Sequence, residues 1–154
     1  MRKLFRGALV ASLLIVVTAT APPPGGAQAG TVRPMIFVHG FLGSGQQFEA
    51  QALRFASNGF PADHIELFEH NSLEYPGSRE EVWQRLDQLV ETLQARSGAE
   101  QVDLLGHSQG TGLVQGYLAS DPARAEDVAR YVNLDGGSGG AVPDGVEALA
   151  VWGE

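Results

Sequence analysis

The chain has 154 residues, 44% of them apolar and 18% charged, with no cysteine and a formal charge of −8. That is the makeup of one small globular domain, not of a disordered or collagen-like segment. The lack of cysteine excludes a disulfide scaffold, thiol catalysis and thiolate metal sites.

Arg2, Lys3 and Arg6 precede the apolar run Ala8 to Ala21, and Ala27-Gln28-Ala29 offers a small-residue cleavage site before Gly30. This pattern predicts a secretory signal peptide over residues 1–29, cleaved after Ala29. Its unbroken apolar core, Ala8 to Val17, is too short to serve as a stable membrane anchor, which needs roughly 20 residues. Beyond it stand 7 Lys plus Arg, all of them arginine, against 18 Asp plus Glu, a formal charge of −11. Nucleic acid and anionic membrane surfaces are therefore not expected partners, and the acidity reads most simply as a solubility device.

Pro34 to Val38 is a short apolar run ending at His39-Gly40, which predicts a buried strand. After Gly43-Ser44-Gly45, the segment Gln46 to Asn58 places Phe48, Ala52, Leu53, Phe55 and Ala56 on one helical face, stopped by Gly59. Ile65 to Phe68 predicts a second strand. Ser78 with Glu81 has capping-box spacing, and Val82, Leu86, Leu89 and Leu93 follow at helical intervals until Gly98. Val102 to Leu105 predicts a third strand, Gly110 to Ala119 a helix ending near Asp121-Pro122, Tyr131 to Leu134 a fourth strand and Val146 to Trp152 a fifth. Strands alternating with helices imply a mostly parallel sheet, an α/β fold with helices on both faces.

Two segments carry chemistry. Gly106-His107-Ser108-Gln109-Gly110 fits Gly-x-Ser-x-Gly, the nucleophile elbow, in which a serine sits on a tight strand-to-helix turn between small residues. Gly136-Gly137-Ser138-Gly139-Gly140 fits the same pattern. Only Ser108 follows an apolar strand and opens a helix, so Ser108 is the expected nucleophile and Ser138 a loop residue. His39-Gly40-Phe41-Leu42-Gly43 directly follows the first strand, 69 residues before Ser108.

With these two segments in this order, the chain resembles bacterial secreted lipases and esterases of the α/β-hydrolase fold. The resemblance implies that the N–H groups of Phe41 and Gln109 form an oxyanion hole, each preorganised donor contributing roughly 3 kcal/mol to the transition state. The single glycine before Phe41 resembles the branch that takes medium or long acyl chains. His39 is expected to hold the oxyanion loop by a side-chain hydrogen bond, while His107 diverges from Ser108 and His64 and His70 are surface or loop residues. These four histidines, at 39, 64, 70 and 107, lack the i, i+4 spacing of a zinc hydrolase, and neither metal nor cofactor is expected.

In the family the triad runs Ser, then Asp or Glu, then His. No histidine follows Ser108 in the sequence. The acid has two placements: Glu154 or a residue just beyond it, as in the smaller bacterial lipases, or Asp135 one strand earlier, as in a branch similar to pancreatic lipases. The alternative for Asp135 is a loop cap bonded to the glycine amides that follow. Residues 30–154 are thus expected to form the N-terminal portion of a single α/β-hydrolase domain, incomplete at its C-terminal end.

The functional expectation is a secreted carboxylic ester hydrolase working through an acyl-serine intermediate on a small-molecule or lipid ester. Thioesterases, acyltransferases and cofactor-free haloperoxidases share the elbow. The other classes are a catalytically incomplete or non-enzymatic chain that keeps the elbow, favoured by the missing histidine, and an acidic α/β domain with no site. Acyl length, alcohol group, lid and oligomeric state are left open by the sequence.

Overall fold

The computed structural model describes residues 32–75, 77–137 and 141–153. The expected signal peptide, Ser138 and Glu154 lie outside the described residues. Five strands form one parallel sheet: β1 (Met35–Val38), β2 (Ile65–Phe68), β3 (Val102–His107), β4 (Val128–Leu134) and β5 (Glu147–Val151), in the order β2-β1-β3-β4-β5. The helices are α1 (Glu49–Ser57), α2 (Arg79–Ser97), α3 (Gln109–Ser120) and α4 (Pro122–Glu126).

The order places a switch point at β1 and β3. From β1 the chain moves outward to β2, crosses back over β1 to β3, then continues the other way to β4 and β5. The connections leaving the carboxyl ends of β1 and β3 therefore diverge, which opens a crevice where open α/β sheets bind ligands. Both chemistry-bearing segments fall there.

The two faces of the sheet are covered unequally. On one, Val82, Leu86, Val90 and Leu93 of α2 and Leu113, Val114, Tyr117 and Leu118 of α3 pack on Ile36, Val38, Leu104 and Tyr131. Leu86, Leu93 and Leu113 are wholly buried, and each such side chain stabilises the fold by roughly 1.5–3 kcal/mol. Arg124 joins the elements over this core, its guanidinium bonded to Asp87 at 2.8 Å and Glu80 at 3.0 Å and lying over the rings of Trp83 and Tyr117.

On the other face Met35, Phe37 and Phe48 form a small cluster, edged by half-buried Leu67, Leu105 and Leu134. The expected apolar helix face fares poorly here. The segment opens with a 3-10 turn, Gly45–Phe48, and α1 proper buries no residue, leaving Leu53 68% and Phe55 40% exposed. Phe48, from the turn, is buried against the sheet, and the partly exposed Phe55 ring lies 6.3 Å from that of Phe37.

The structure departs from further expectations. Ser78 stands at the N-cap of α2, but its hydroxyl donates to the Glu74 carbonyl at 3.1 Å, so the capping box does not form. The chain enters α2 from consecutive turns, Ser78 N–H bonding Glu74 and Tyr75 carbonyls, and this draws the hydroxyl backwards. Val90, not Leu89, completes the fully buried stripe of α2. Asp121-Pro122 ends α3 but also starts α4: Asp121 Oδ1 accepts from Ala123 N–H at 2.9 Å and Pro122 fills the first helical position. The fifth strand is exposed along its whole length.

Candidate active site

The elbow explains its own glycines. β3 ends at His107, and Ser108 takes φ 52°, ψ −119° before α3 begins at Gln109. A Cβ on Gly106 would come within 2.8 Å of Thr111 Cα and 2.9 Å of the Gly110 carbonyl carbon, because the first turn of α3 folds back on the strand. A Cβ on Gly110 would run into the carbonyl oxygens of Val38 and His39. The helix can start this close to β1 only without side chains at these two positions. Ser108 N–H bonds the Leu134 carbonyl at 3.1 Å, Thr111 N–H bonds the Ser108 carbonyl at 3.1 Å, and the side chain is left exposed.

The loop after β1 meets this elbow through Gly40, where a Cβ would lie 2.9 Å from Ser108 Cβ. Phe41 is the next residue along the chain. Its side chain and that of Leu42 are 57% and 70% exposed. Gln109, on the other side, begins α3, whose N-terminal N–H groups favour negative charge. Its side-chain Oε1 is buried without a partner.

Among the described residues three non-glycine positions adopt positive φ: Leu42 (53°), Ser108 (52°) and Asp135 (52°). They follow β1, β3 and β4, all at the carboxyl edge of the sheet. Strained positions of this kind cost on the order of 1–3 kcal/mol each and gather at functional sites.

Asp135 is exposed, and its N–H bonds the Val151 carbonyl at 2.8 Å. The Gly136 N–H is capped by Asn133 Oδ1 at 2.9 Å, so the capping task weighed for Asp135 is carried by Asn133.

The histidines divide. His39 is fully buried, and its Nδ1 lies 2.9 Å from the Gly40 carbonyl. A carbonyl only accepts, so Nδ1 carries the proton; in the neutral ring Nε2 then accepts from His70 N–H at 3.4 Å. Glu69 Oε2, 3.5 Å from the same nitrogen, forms an ion pair only when the ring is protonated.

His70 lies in the loop after β2, one of the two placements expected, but it is buried there and not at the surface. It stacks on His39 with centroids 4.0 Å apart and neither ring nitrogen has a hydrogen-bond partner. Burial first, then the neighbouring His39 and Arg85, push its pKa down to about 4. His107 Nδ1 is 3.0 Å from Gln47 Nε2, which links the elbow to the turn before α1, and His64 Nδ1 meets the Val32 carbonyl at 3.0 Å.

Beside Ser108 opens a hollow of about 430 Å³ lined by Tyr75, Arg79, Gln109, Gly112 and Gln115. A comparable hollow of about 470 Å³, between Gln101, Leu118, Pro122 and Pro143, has no serine in its lining. Gln47, Glu69, Ser72, Tyr75 and Arg79 reach the site by tertiary folding, and no local pattern marks them. Among the described residues no three His, Asp or Glu side chains gather as a metal site, and no helix is long and apolar enough to cross a membrane.

Solved structures share this architecture. Phospholipase PlaB from Legionella pneumophila is similar with a TM-score of 0.55 and 17% identity, over 68% of this chain and 25% of that one. Lipase BlEst2 from Bacillus licheniformis, in mature form, gives 0.50 and 18%, over 74% and 44%. The lin2722 gene product from Listeria innocua gives 0.50 and 16%, over 68% and 51%. The chain thus spans between a quarter and about half the length of these proteins, and the likeness establishes the α/β-hydrolase fold. A family model described as palmitoyl protein thioesterase matches residues 34–148. With that match covering most of its sequence, the chain belongs to the palmitoyl protein thioesterase family.

Proposed function

We propose that this chain carries the nucleophile and oxyanion hole of a secreted hydrolase that cleaves long-chain acyl thioesters or oxygen esters. The observation that supports the reading is the approach of Gly40, the residue before Phe41, to Ser108, an exposed serine at positive φ: a Cβ on Gly40 would stand 2.9 Å from Ser108 Cβ. Ser108 Oγ attacks the acyl carbonyl, and the oxyanion that forms is met by the N–H groups of Phe41 and Gln109. Collapse of that intermediate expels the thiol or alcohol and leaves an acyl-serine, which water then cleaves. Phe41, Leu42 and Leu73, all exposed and apolar, offer the acyl chain a surface at the mouth of the site.

The reaction needs a base. His39 and His70 are buried, His64 is bonded to Val32, and His107 Nδ1 is engaged with Gln47. In this reading the base is a histidine outside the 154 residues, and the acid is Asp135, Glu154 or a residue near it. A second reading, a non-enzymatic protein that keeps the elbow, is favoured by the absence of histidine after Ser108.

The test is hydrolysis of acyl thioesters and p-nitrophenyl esters of several chain lengths by the 154-residue chain and by the full-length gene product, each with a Ser108→Ala control. Turnover confined to the full-length product and abolished by Ser108→Ala is the expected result. Turnover that survives Ser108→Ala would refute the assignment, and Ser108-dependent turnover by the short chain would place the base among the four histidines present.

A further inference from the structure

The oxyanion loop is held in an unusual way for a segment with such a demanding task. Phe41 and Leu42 project into solvent, so side-chain packing does not fix them, and Leu42 adopts φ 53°, a conformation a branched apolar residue does not choose unaided. Something else must hold the backbone.

The holding groups come from one place, the segment directly after β2. Ser72 Oγ accepts from Leu42 N–H at 2.9 Å, and Ser72 is itself buried. Glu69 Oε1 accepts from Gly45 N–H at 2.6 Å, a charge-assisted bond. The carboxylate reaches that N–H because position 45 is glycine: a Cβ there would stand 2.8 Å from Glu69 Oε1 and 2.8 Å from Leu67 Cβ. His70 N–H meets Nε2 of His39, whose Nδ1 engages the Gly40 carbonyl. Leu42, Gly45 and His39 thus bracket Phe41 on both sides, and each is tied to residues 69–72.

We propose that Glu69 and Ser72 are positioning residues for the oxyanion hole, clamping the loop on either side of Phe41 so that its N–H stays aimed at the intermediate formed on Ser108. The inference rests on the proposed roles of Ser108 and Phe41. Glu69 and Ser72 act on the loop backbone, through the N–H groups of Gly45 and Leu42. Their effect is on the orientation of a donor that matters only when charge develops, so their loss lowers kcat and leaves KM nearly unchanged.

The experiment combines two measurements on the full-length protein. Amide exchange followed by NMR reads the clamp itself: Glu69→Ala speeds exchange at Gly45 by roughly tenfold or more, Ser72→Ala does the same at Leu42, and amides in α2 and α3 are unaffected. Glu69→Gln, which keeps an acceptor oxygen, restores much of the protection at Gly45. Acyl ester kinetics read the consequence: kcat falls roughly tenfold in Glu69→Ala with KM within about twofold, and Glu69→Gln recovers part of it. Glu69 is largely exposed, so its variants report on the loop even if Ser72→Ala fails to fold.

Unchanged exchange at Leu42 and Gly45 would overturn the clamp. Faster exchange with undiminished kcat would overturn the positioning role. A wild-type protein without Ser108-dependent turnover would instead refute the roles of Ser108 and Phe41 on which this inference stands.

Discussion

The two faces of the sheet support the two halves of the site by different means. Behind the elbow, α2, α3 and α4 bury a continuous apolar core, and Ser108 is held by the close fit of Gly106 and Gly110 against backbone. Behind the loop after β1, Phe48 and two strand residues form the whole buried cluster, α1 lies with Leu53 and Phe55 exposed, and a shallow apolar hollow of about 400 Å³ separates α1 from β2. There the loop is fixed by hydrogen bonds to Glu69, Ser72 and His39. The strained turn at Ser108 is set in packed backbone, whereas the loop after β1 is tethered by directional polar bonds.

Substitutions on the two faces sharpen this contrast. The largest effect is expected in the packed core: Leu86→Ala, at a site with no exposure, costs roughly 2–5 kcal/mol in chemical denaturation, with loss of cooperativity in α2 and α3 together. A loss under about 1 kcal/mol would mean the core is looser than its burial indicates.

Acid comes next, and it acts through the buried His70 stacked on His39. His70, held at about 4 in the folded protein, titrates near 6.5 when unfolded, so the unfolded chain binds more protons between these values. Stability therefore falls as pH drops from about 6.5 to about 4, by up to ~3 kcal/mol, and His70 contributes no further loss below that. The groups facing it are His39, Phe68, Tyr75 and, from α2, Arg85. His70→Phe, which keeps a ring against His39, should flatten the slope in a pH series of thermal melts; an unaltered slope would assign it to other groups.

Gly110→Ala tests the fit of the elbow. The added methyl meets the Val38 and His39 carbonyls, which belong to the central strand and its exit and cannot yield cheaply. The expected cost is about 1–3 kcal/mol. The smallest change is expected on the thin face: Leu53→Ser should alter stability by no more than about 0.5 kcal/mol, since Leu53 is already 68% exposed. A large loss there would show that α1 is packed against something in solution.

Much of the sheet was legible in the sequence because buried parallel strands read as short apolar runs. Ile65–Phe68 matches its expected span, and β1 and β3 differ from theirs by residues at the ends. β4 begins three residues early, at Val128, because Arg130 interrupts the apolar run while its backbone still pairs with the neighbouring strand. Periodicity placed α1 as a helix with an apolar side but could not tell that this side is only partly covered, Leu53 staying exposed, since burial depends on what lies opposite. The Ser78 box failed for a related reason: the spacing was right, but the preceding turns offered the hydroxyl a nearer acceptor. The strand-to-helix turn at Ser108 and the His39-Gly40 exit from β1 are local patterns, and their places in the fold were readable. Glu69, Ser72 and Gln47 are ordinary residues whose role exists only through contacts 24 to 60 positions away.

The most direct test of the central claim is to trap the nucleophile. The full-length protein is treated with a fluorophosphonate and the adduct located by tandem mass spectrometry. Modification at Ser108, lost in Ser108→Ala and weakened in Glu69→Ala, is the predicted result. Modification at Ser138, the other serine in the same glycine pattern, or hydrolytic activity that persists with Ser108 blocked, would contradict it.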